Sequence, residues 1–182
     1  MSAKMTLGQT AEIAGPKKAL IIPKPEVAAS LIKRAKNPLL VLGSDSVNIE
    51  TKDGDLIDTA TRLLKNAKFS VVATGHIVKE FRDRGVEGVF SMPLMNIGDR
   101  LRDPDWVGFD GEGQYDLVVF VGLPYYLEWL VLNGLKSFAM DLTTLSLDRT
   151  YQPNARWSVG TIREEEWKEV LDKVVSILEE EM

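Results

Sequence analysis

The stretch Asp116-Leu117-Val118-Val119-Phe120-Val121-Gly122-Leu123-Pro124 decides the fold, because it is a continuous apolar run that stops at a glycine. A second stretch, Pro38-Leu39-Leu40-Val41-Leu42-Gly43-Ser44, has the same form. Strands that are apolar on both faces belong inside a parallel sheet covered by helices, and a glycine at the carboxyl end of a strand lets another molecule approach the backbone. The two stretches together predict an α/β fold with a nucleotide-type crevice.

Further apolar segments alternate with amphipathic ones along the chain. Strands are predicted at 69–73, 89–92, 144–148 and 156–159, and helices at about 25–36, 54–67, 75–84, 125–135 and 163–180. This alternation predicts a doubly wound parallel sheet of about six strands in the order 3-2-1-4-5-6, which places Gly43 and Gly122 side by side where the order reverses. Residues 1–182 are predicted to form a single Rossmann-like domain, in which residues 1–22 are an N-terminal arm without an assigned element.

The composition limits the chemistry that the chain can perform unaided. Its 182 residues include no cysteine and one histidine, and the formal net charge is −5. Without cysteine the chain ligates no iron–sulfur cluster and no Cys-type zinc, so we expect no metal in this chain and favour a binding or supporting subunit over a complete enzyme. The acidic balance disfavours a nucleic-acid partner. No apolar stretch has the length of a membrane span or the form of a signal peptide, so we expect a cytoplasmic protein with no membrane partner.

The candidate cofactor-binding residues are Gly43, Ser44, Gly122 and Asp148. The sequence after Gly43 lacks the G-x-G-x-x-G pattern, so both a diphosphate near Ser44 and a plain strand-to-helix turn stay open. Asp148 follows a predicted strand and either accepts ribose hydroxyls or begins a turn with Arg149. A dinucleotide such as FAD is expected to lie across the two glycine ends, and a Gly122→Val variant is expected to lose FAD while keeping the fold.

The single histidine, His76, follows a predicted strand and opens a short helix. It is either a proton carrier or a structural histidine whose hydrogen bonds are satisfied within the fold. The second interpretation is favoured, because no nucleophile or acidic partner can be assigned to it. No catalytic residue is therefore predicted.

The predicted helix Tyr125-Tyr126-Leu127-Glu128-Trp129-Leu130-Val131-Leu132-Asn133 is apolar almost all the way round. A helix that covers one face of a sheet needs only one apolar stripe, so its other side needs a second surface. We expect part of this helix, with the neighbouring loop 93–106, to pack against another subunit, either a second copy or a larger partner. Trp129 and Tyr126 face different directions, so at least one should lie outside the contact with the sheet. The alternative is that the N-terminal arm covers this side.

Several short segments resemble one protein family in their order and spacing. They are Gln9-Thr10-Ala11-Glu12-Ile13, Gly15-Pro16-Lys17-Lys18-Ala19, Lys24-Pro25-Glu26-Val27-Ala28, Ile32-Lys33-Arg34-Ala35-Lys36 and Asp148-Arg149-Thr150-Tyr151-Gln152-Pro153-Asn154-Ala155. These segments are similar to the epsilon subunits of archaeal acetyl-CoA decarbonylase/synthase complexes. The resemblance runs from about Gln9 to the final helix.

This resemblance implies a fold like the NAD/FAD-binding central domain of thiamine-diphosphate enzymes. It also implies a partner, the large alpha subunit, which carries nickel and iron–sulfur clusters and forms an alpha-two, epsilon-two carbon monoxide dehydrogenase component. The epsilon subunits of the family have no settled catalytic residues, and their implied roles are to stabilise that component and to assist electron transfer to FAD. A free-standing NAD/FAD-dependent deacylase or transferase is the alternative, and the absence of cysteine together with the single histidine disfavours it.

Overall fold

The computed structural model describes residues 17–52, 54–66 and 69–180. Its strands are Leu20–Ile21 (β1), Pro38–Leu42 (β2), Glu50–Thr51 (β3), Gly54–Asp55 (β4), Ser70–Ala73 (β5), Val89–Ser91 (β6), Leu117–Val121 (β7), Thr143–Ser146 (β8) and Trp157–Ser158 (β9). Its α-helices are Pro25–Arg34 (α1), Leu56–Asn66 (α2), Val78–Asp83 (α3), Leu94–Leu101 (α4), Tyr125–Phe138 (α5) and Glu164–Glu180 (α6). Within these ranges, no helix has both the length and the apolar content needed to cross a membrane.

Seven of the strands form one sheet in the order β1-β9-β8-β7-β2-β5-β6, and each neighbouring pair in it is parallel. Apart from β1, this order coincides with the 3-2-1-4-5-6 arrangement expected from the sequence. The short strands β3 and β4 pair with each other in an antiparallel hairpin outside this sheet. The fold is therefore α/β, with one strand more in the parallel sheet than the sequence predicts.

The additional strand is β1, which lies at the edge of the sheet beside β9. The amide of Leu20 donates to the carbonyl of Arg156 at 3.0 Å, and both residues of β1 are exposed. The apolar residues Ala19-Leu20-Ile21-Ile22 are the only local signal for this strand, and four residues are too few to distinguish a strand from other structure. No element is assigned to residues 1–22 from the sequence; β1 lies in this range, whereas residues 1–16 lie outside the described residues.

The two central strands, β2 and β7, are buried along their whole length. Alternate residues of β2 pack into different clusters: Leu40 and Leu42 lie in the cluster that includes α1, α2 and α6, whereas Leu39 and Val41 lie in the cluster with α4 and α5. Because successive side chains of a strand point to opposite faces, this division places helices on both sides of the sheet. Burial on both faces explains why β2 and β7 are apolar at every position and not only at every second one.

The turns that follow β2 and β7 rest directly on each other. The amide of Asp45 donates to the carbonyl of Gly122 at 2.9 Å, and the amide of Gly43 donates to that of Val121 at 3.0 Å. A Cβ atom on Gly43 would overlap the Gly122 carbonyl and lie 2.5 Å from the Cα atom of Leu123. Gly122 itself has a φ of +72°, and a Cβ there would lie 2.9 Å from the amide nitrogen of Ser46. Both glycines are therefore required by the packing of one turn on the other.

We predict that Gly43→Ala destabilises the folded chain by about 2 kcal/mol or more, because backbone atoms surround the added methyl group and the two strands cannot separate without loss of packing. Gly134→Ala is the matched control, since the space around its Cβ position in α5 is open and alanine favours a helix by about 1 kcal/mol. Urea unfolding followed by circular dichroism measures both changes. Equal stability of the Gly43→Ala variant and the parent would contradict the close contact.

Candidate functional site

A cavity of about 440 Å³ lies at the carboxyl ends of β2, β7 and β8, where the strand order reverses. Open α/β sheets bind their ligands at this place. The connections that follow the three strands and the first turns of α6 form its walls. The lining residues are Asp45, Asn48, Ile49, Gly122, Leu123, Tyr125, Glu128, Asp148, Arg149, Thr150, Gln152, Glu164, Trp167 and Lys168.

The structure brings together two of the four residues that the sequence proposed for cofactor binding. Gly122 and Asp148 line the cavity, and they contact each other: the amide of Gly122 donates to Asp148 Oδ1 at 2.7 Å. The amide of Leu123 donates to the other carboxylate oxygen at 3.2 Å. Gly43 and Ser44 are not among the lining residues, and the hydroxyl of Ser44 faces Asp45 at 3.3 Å. Asp148 therefore binds the backbone of this chain where a ribose was expected.

The groups that a diphosphate requires are already engaged. Anion sites at strand ends are formed by free backbone amides, and here those of Gly122 and Leu123 are bound to the Asp148 carboxylate. The cations of the cavity, Arg149 and Lys168, lie 3.8 and 3.5 Å from the carboxylate of Glu164. The residues present therefore do not fit the diphosphate of FAD or of another dinucleotide in this arrangement.

Substitution of Gly122 is also a poor probe of binding. The positive φ and the contact with the Ser46 amide mean that a valine at this position would strain the turn. The expectation that Gly122→Val keeps the fold intact is therefore wrong.

Glu128 is a central residue of the site, and it is not among the site residues predicted from the sequence. It lies in the first turn of α5, and its side chain is completely buried. Gln152 Nε2 donates to Glu128 Oε2 at 3.0 Å and to the backbone carbonyl of Tyr125 at 3.0 Å. Burial raises the pKa of Glu128 well above its usual range, and the negative charge of Asp148 raises it further. The neutral form of Glu128 is therefore favoured in the folded chain.

Asp148 is affected by the same environment. Burial raises its pKa to about 6, against the opposing effect of its hydrogen bonds from the backbone amides of Gly122 and Leu123. Two carboxyl groups that lie close together in a dry site do not both ionise readily. A negative charge is favoured on Asp148 over Glu128, because both Asp148 oxygens accept backbone amides.

The side chains around this pair have polar atoms that are buried without a hydrogen-bond partner among the described residues. They are Ser46 Oγ, Tyr125 Oη, Glu128 Oε1, Ser146 Oγ and Gln152 Oε1. Buried polar atoms are normally satisfied by protein, water or ligand. These atoms are hydroxyls, an amide oxygen and a carboxyl oxygen, so they are suited to a polar group that both donates and accepts hydrogen bonds.

His76 lies apart from this cavity. It is exposed in the short 3-10 turn Gly75–Ile77 after β5, and it does not line the site. Its exposure gives no support to the interpretation as a structural histidine with hydrogen bonds satisfied within the fold, which stays a prediction. Over the described ranges there is also no group of three or more His, Cys, Asp or Glu side chains that could hold a metal ion.

The outer side of α5 is exposed and apolar. Tyr126 is 66% exposed and Leu130 is 48% exposed, whereas Trp129 is only partly exposed and its indole nitrogen is buried. The prediction that at least one of Tyr126 and Trp129 lies outside the contact with the sheet is confirmed for Tyr126. The alternative that the N-terminal arm covers this side involves residues 1–16, which lie outside the described residues.

The carboxyl pair predicts a pH dependence with a definite sign. The folded chain keeps these protons to a higher pH than the unfolded chain, so the stabilisation is complete below about pH 4 and is lost as the pH rises through about 6. Glu128→Gln retains the size and neutrality of the protonated side chain. We expect its free energy of unfolding, relative to the parent, to increase between about pH 4 and about pH 8, because the glutamine has no buried proton to lose.

Urea unfolding at several pH values measures this difference. Glu169→Gln, at an exposed position of α6, is the matched control for loss of a carboxylate. Parallel stability curves for the parent and Glu128→Gln would show that Glu128 does not hold a proton in the folded state.

Comparison with known proteins provides the family. Residues 4–175 match the model of a family described as CO dehydrogenase beta subunit/acetyl-CoA synthase epsilon subunit. The epsilon subunit of the acetyl-CoA decarbonylase/synthase complex of Methanothermobacter thermautotrophicus is 34% identical over 168 residues, which cover 91% of this chain and 92% of that protein. The corresponding subunit of Methanothrix soehngenii is 35% identical over 93% of this chain and 89% of its own length.

A third relative, epsilon subunit 1 from Archaeoglobus fulgidus, is 40% identical over 74% of this chain and 71% of its own length. The family model covers nearly the whole chain, including the α5 region and the segment after β8 that together form the cavity. The chain belongs to the CO dehydrogenase beta subunit/acetyl-CoA synthase epsilon subunit family.

Proposed function

We propose that this chain is a non-catalytic subunit of an acetyl-CoA decarbonylase/synthase complex, in which it stabilises a carbon monoxide dehydrogenase component. Its family membership carries the proposal, because the related proteins are named as epsilon subunits of that complex. The composition supports it, since a chain with no cysteine and one histidine supplies no thiolate ligands for nickel or iron–sulfur clusters. The clusters therefore belong to a larger alpha subunit, and we infer an alpha-two, epsilon-two assembly.

The fold supports a structural role. Helices cover both faces of the sheet. The exposed side of α5 presents the apolar side chains of Tyr126 and Leu130, whose exposure to water is unfavourable in a monomer. A rigid scaffold with one such face is suited to docking against another subunit. We infer that the sheet is of the Rossmann-like kind found in the central domain of thiamine-diphosphate enzymes, because its strand order reverses between β2 and β7.

A free-standing NAD/FAD-dependent deacylase or transferase receives less support. Such an enzyme needs a base near its ligand, and His76 is exposed outside the cavity. Glu128 and Asp148 are the two acids of the cavity with a raised pKa among the described residues: burial favours the neutral form of Glu128, and both carboxylate oxygens of Asp148 accept backbone amides of Gly122 and Leu123. The geometry therefore favours the subunit over the enzyme.

Electron transfer to FAD is the other role that the family resemblance implies, and the cavity gives it no support. The amides that would hold the diphosphate are bound to Asp148, and the neighbouring charges are mainly carboxylates. FAD binding by this chain stays a prediction, and we assign no step of electron transfer to residues of the cavity.

The isolated chain is expected to contain no stoichiometric nickel or iron and to show no carbon monoxide oxidation, because the cluster ligands lie on another chain. Elemental analysis and a viologen-reduction assay measure this. The affinity-tagged full chain, purified from its native extract, is expected to bring with it a larger protein that contains both metals. Turnover by the pure chain, or purification without any metal-bearing partner, would contradict the proposed function.

The role of Asp148 in excluding a diphosphate can be tested with FAD itself. Asp148→Ala frees the two amides and removes a negative charge, so we expect it to bind FAD more tightly than the parent, by about tenfold or more. Asp45→Ala is the matched control, because it removes a carboxylate of the same cavity without freeing those amides. Flavin fluorescence titration of the full chain measures the affinities. Tight FAD binding by the parent would show that the cavity accepts the dinucleotide with Asp148 in place.

A further inference from the structure

The cavity at the carboxyl ends of β2, β7 and β8 is lined by residues whose buried polar atoms have no hydrogen-bond partner among the described residues. These atoms are Tyr125 Oη, Glu128 Oε1 and Gln152 Oε1. The side chains of Glu128 and Gln152 are completely buried. A buried polar atom without a partner destabilises the folded chain, so a molecule in the cavity that bonds to these atoms would gain binding free energy.

The hydrogen bonds of Gln152 determine which kind of group can meet its free oxygen. Its Nε2 atom donates to the backbone carbonyl of Tyr125 at 3.0 Å and to Glu128 Oε2 at 3.0 Å. A backbone carbonyl only accepts, so the amide cannot be turned the other way, and Gln152 Oε1 is an acceptor that needs an N–H or O–H group. The hydroxyl of Tyr125 donates as well as accepts. A ligand that carries both a donor and an acceptor can therefore satisfy the two side chains.

The charges around the cavity favour an uncharged ligand. The carboxyl groups of Asp45, Asp148 and Glu164 line it, so an anion would be repelled. The cations Arg149 and Lys168 lie 3.8 and 3.5 Å from the Glu164 carboxylate, and they would repel a positively charged ligand. A ligand with neither a phosphate nor an ammonium group avoids both repulsions.

The cavity also has apolar walls. Ile49, Leu123 and Trp167 line it, and the indole N–H of Trp167 already donates to the carbonyl of Leu147 at 2.6 Å. Trp167 therefore offers the cavity apolar ring surface and no free donor. The volume of about 440 Å³ lies within the range of about 300–1,000 Å³ that is typical of small-molecule sites. The ligand is therefore larger than one polar group and includes an apolar part.

We propose that this cavity binds an uncharged nucleoside, which is a base with its ribose and without phosphate. A nucleobase has N–H donors and ring-nitrogen or carbonyl acceptors along its edges, which match Gln152 Oε1 and the Tyr125 hydroxyl, and its faces pack well against apolar and aromatic side chains. The ribose hydroxyls are neutral donors and acceptors, suited to the lining residues Asn48 and Thr150. The inference does not rest on the proposed function, because this chain contains every residue that it uses.

The first test titrates the full chain with adenosine, inosine, cytidine and uridine by isothermal titration calorimetry. Concentrations up to about 5 mM cover dissociation constants in the millimolar range. We expect at least one nucleoside to bind with one-to-one stoichiometry. Its 5′-monophosphate is expected to bind more weakly by about tenfold or more, because the phosphate meets the carboxylates of the cavity and finds the strand-end amides bound to Asp148.

Two neighbouring tyrosines provide a matched pair of variants. Tyr125→Phe removes only the unpartnered hydroxyl, whereas Tyr126→Phe makes the same change at a position that is 66% exposed and does not line the cavity. We expect Tyr125→Phe to weaken nucleoside binding about tenfold and Tyr126→Phe to leave it unchanged.

Stability without nucleoside separates a binding role of this hydroxyl from a structural one. Because the hydroxyl has no partner in the free chain, Tyr125→Phe should be at least as stable as the parent in urea unfolding. A less stable Tyr125→Phe variant would mean that the hydroxyl is already satisfied in the free chain, which contradicts the proposal.

A second pair of variants tests the position of the ligand without changing a buried group. Asn48→Trp places a large side chain at an exposed position that lines the cavity, and Lys79→Trp makes a similar change at an exposed position of α3 outside it. We expect Asn48→Trp to weaken nucleoside binding by about tenfold or more and Lys79→Trp to have no effect.

The opposite results would overturn the proposal. If none of the four nucleosides binds, water satisfies the buried atoms and the cavity is not a nucleoside site. Tighter binding of a monophosphate or of FAD than of the nucleoside would show that the cavity accepts phosphate. Unchanged affinity in Tyr125→Phe or in Asn48→Trp would place the nucleoside elsewhere on the chain. Each of these results leaves the proposed function intact, since that function is tested by co-purification with a metal-bearing partner.

Discussion

The hydrogen bonds from the backbone amides of Gly122 and Leu123 to the carboxylate of Asp148 hold the carboxyl end of the sheet together. They join the turn after β7 to the connection after β8, and the turn after β2 rests on the same place through the bond from the Asp45 amide to the Gly122 carbonyl. The Asp148 carboxylate therefore occupies the position at which open α/β sheets bind a ligand anion. The geometry that could bind a dinucleotide is used to connect three strands.

This use of Asp148 has an electrostatic consequence in the neighbouring helix. The Asp148 carboxylate lies close to Glu128, which is completely buried in α5. Burial and the charge of Asp148 both raise the free energy of a negative charge on Glu128. A proton on Glu128 removes that charge. Gln152, four residues after Asp148, then donates to Glu128 Oε2 and binds the backbone of α5 at Tyr125. The segment after β8 thus fastens α5 to the sheet through polar groups as well as apolar contacts.

The same segment also attaches the edge strand. The hydroxyl of Tyr151 donates to the carbonyl of Ala19 at 2.7 Å, and the amide of Ala19 donates to the carbonyl of Pro153 at 3.0 Å. One connection between β8 and β9 therefore orders both ends of the sheet. It closes the cavity at the carboxyl end through Asp148 and holds the edge strand β1 beside β9.

Much of the fold could be predicted because its signals are local. The apolar runs of β2 and β7 identify buried parallel strands, and the glycines that end them mark the close contact of their turns. Glu128 could not be found in the same way, because a glutamate in an apolar helix gives the same pattern whether it is buried or exposed. Its partners Asp148 and Gln152 lie 20 and 24 residues away, so only the folded chain shows that they meet. The exposed strand β1 has only the short apolar run Ala19-Leu20-Ile21-Ile22 as a signal, and it is held in place by pairing with β9, which only the folded chain shows.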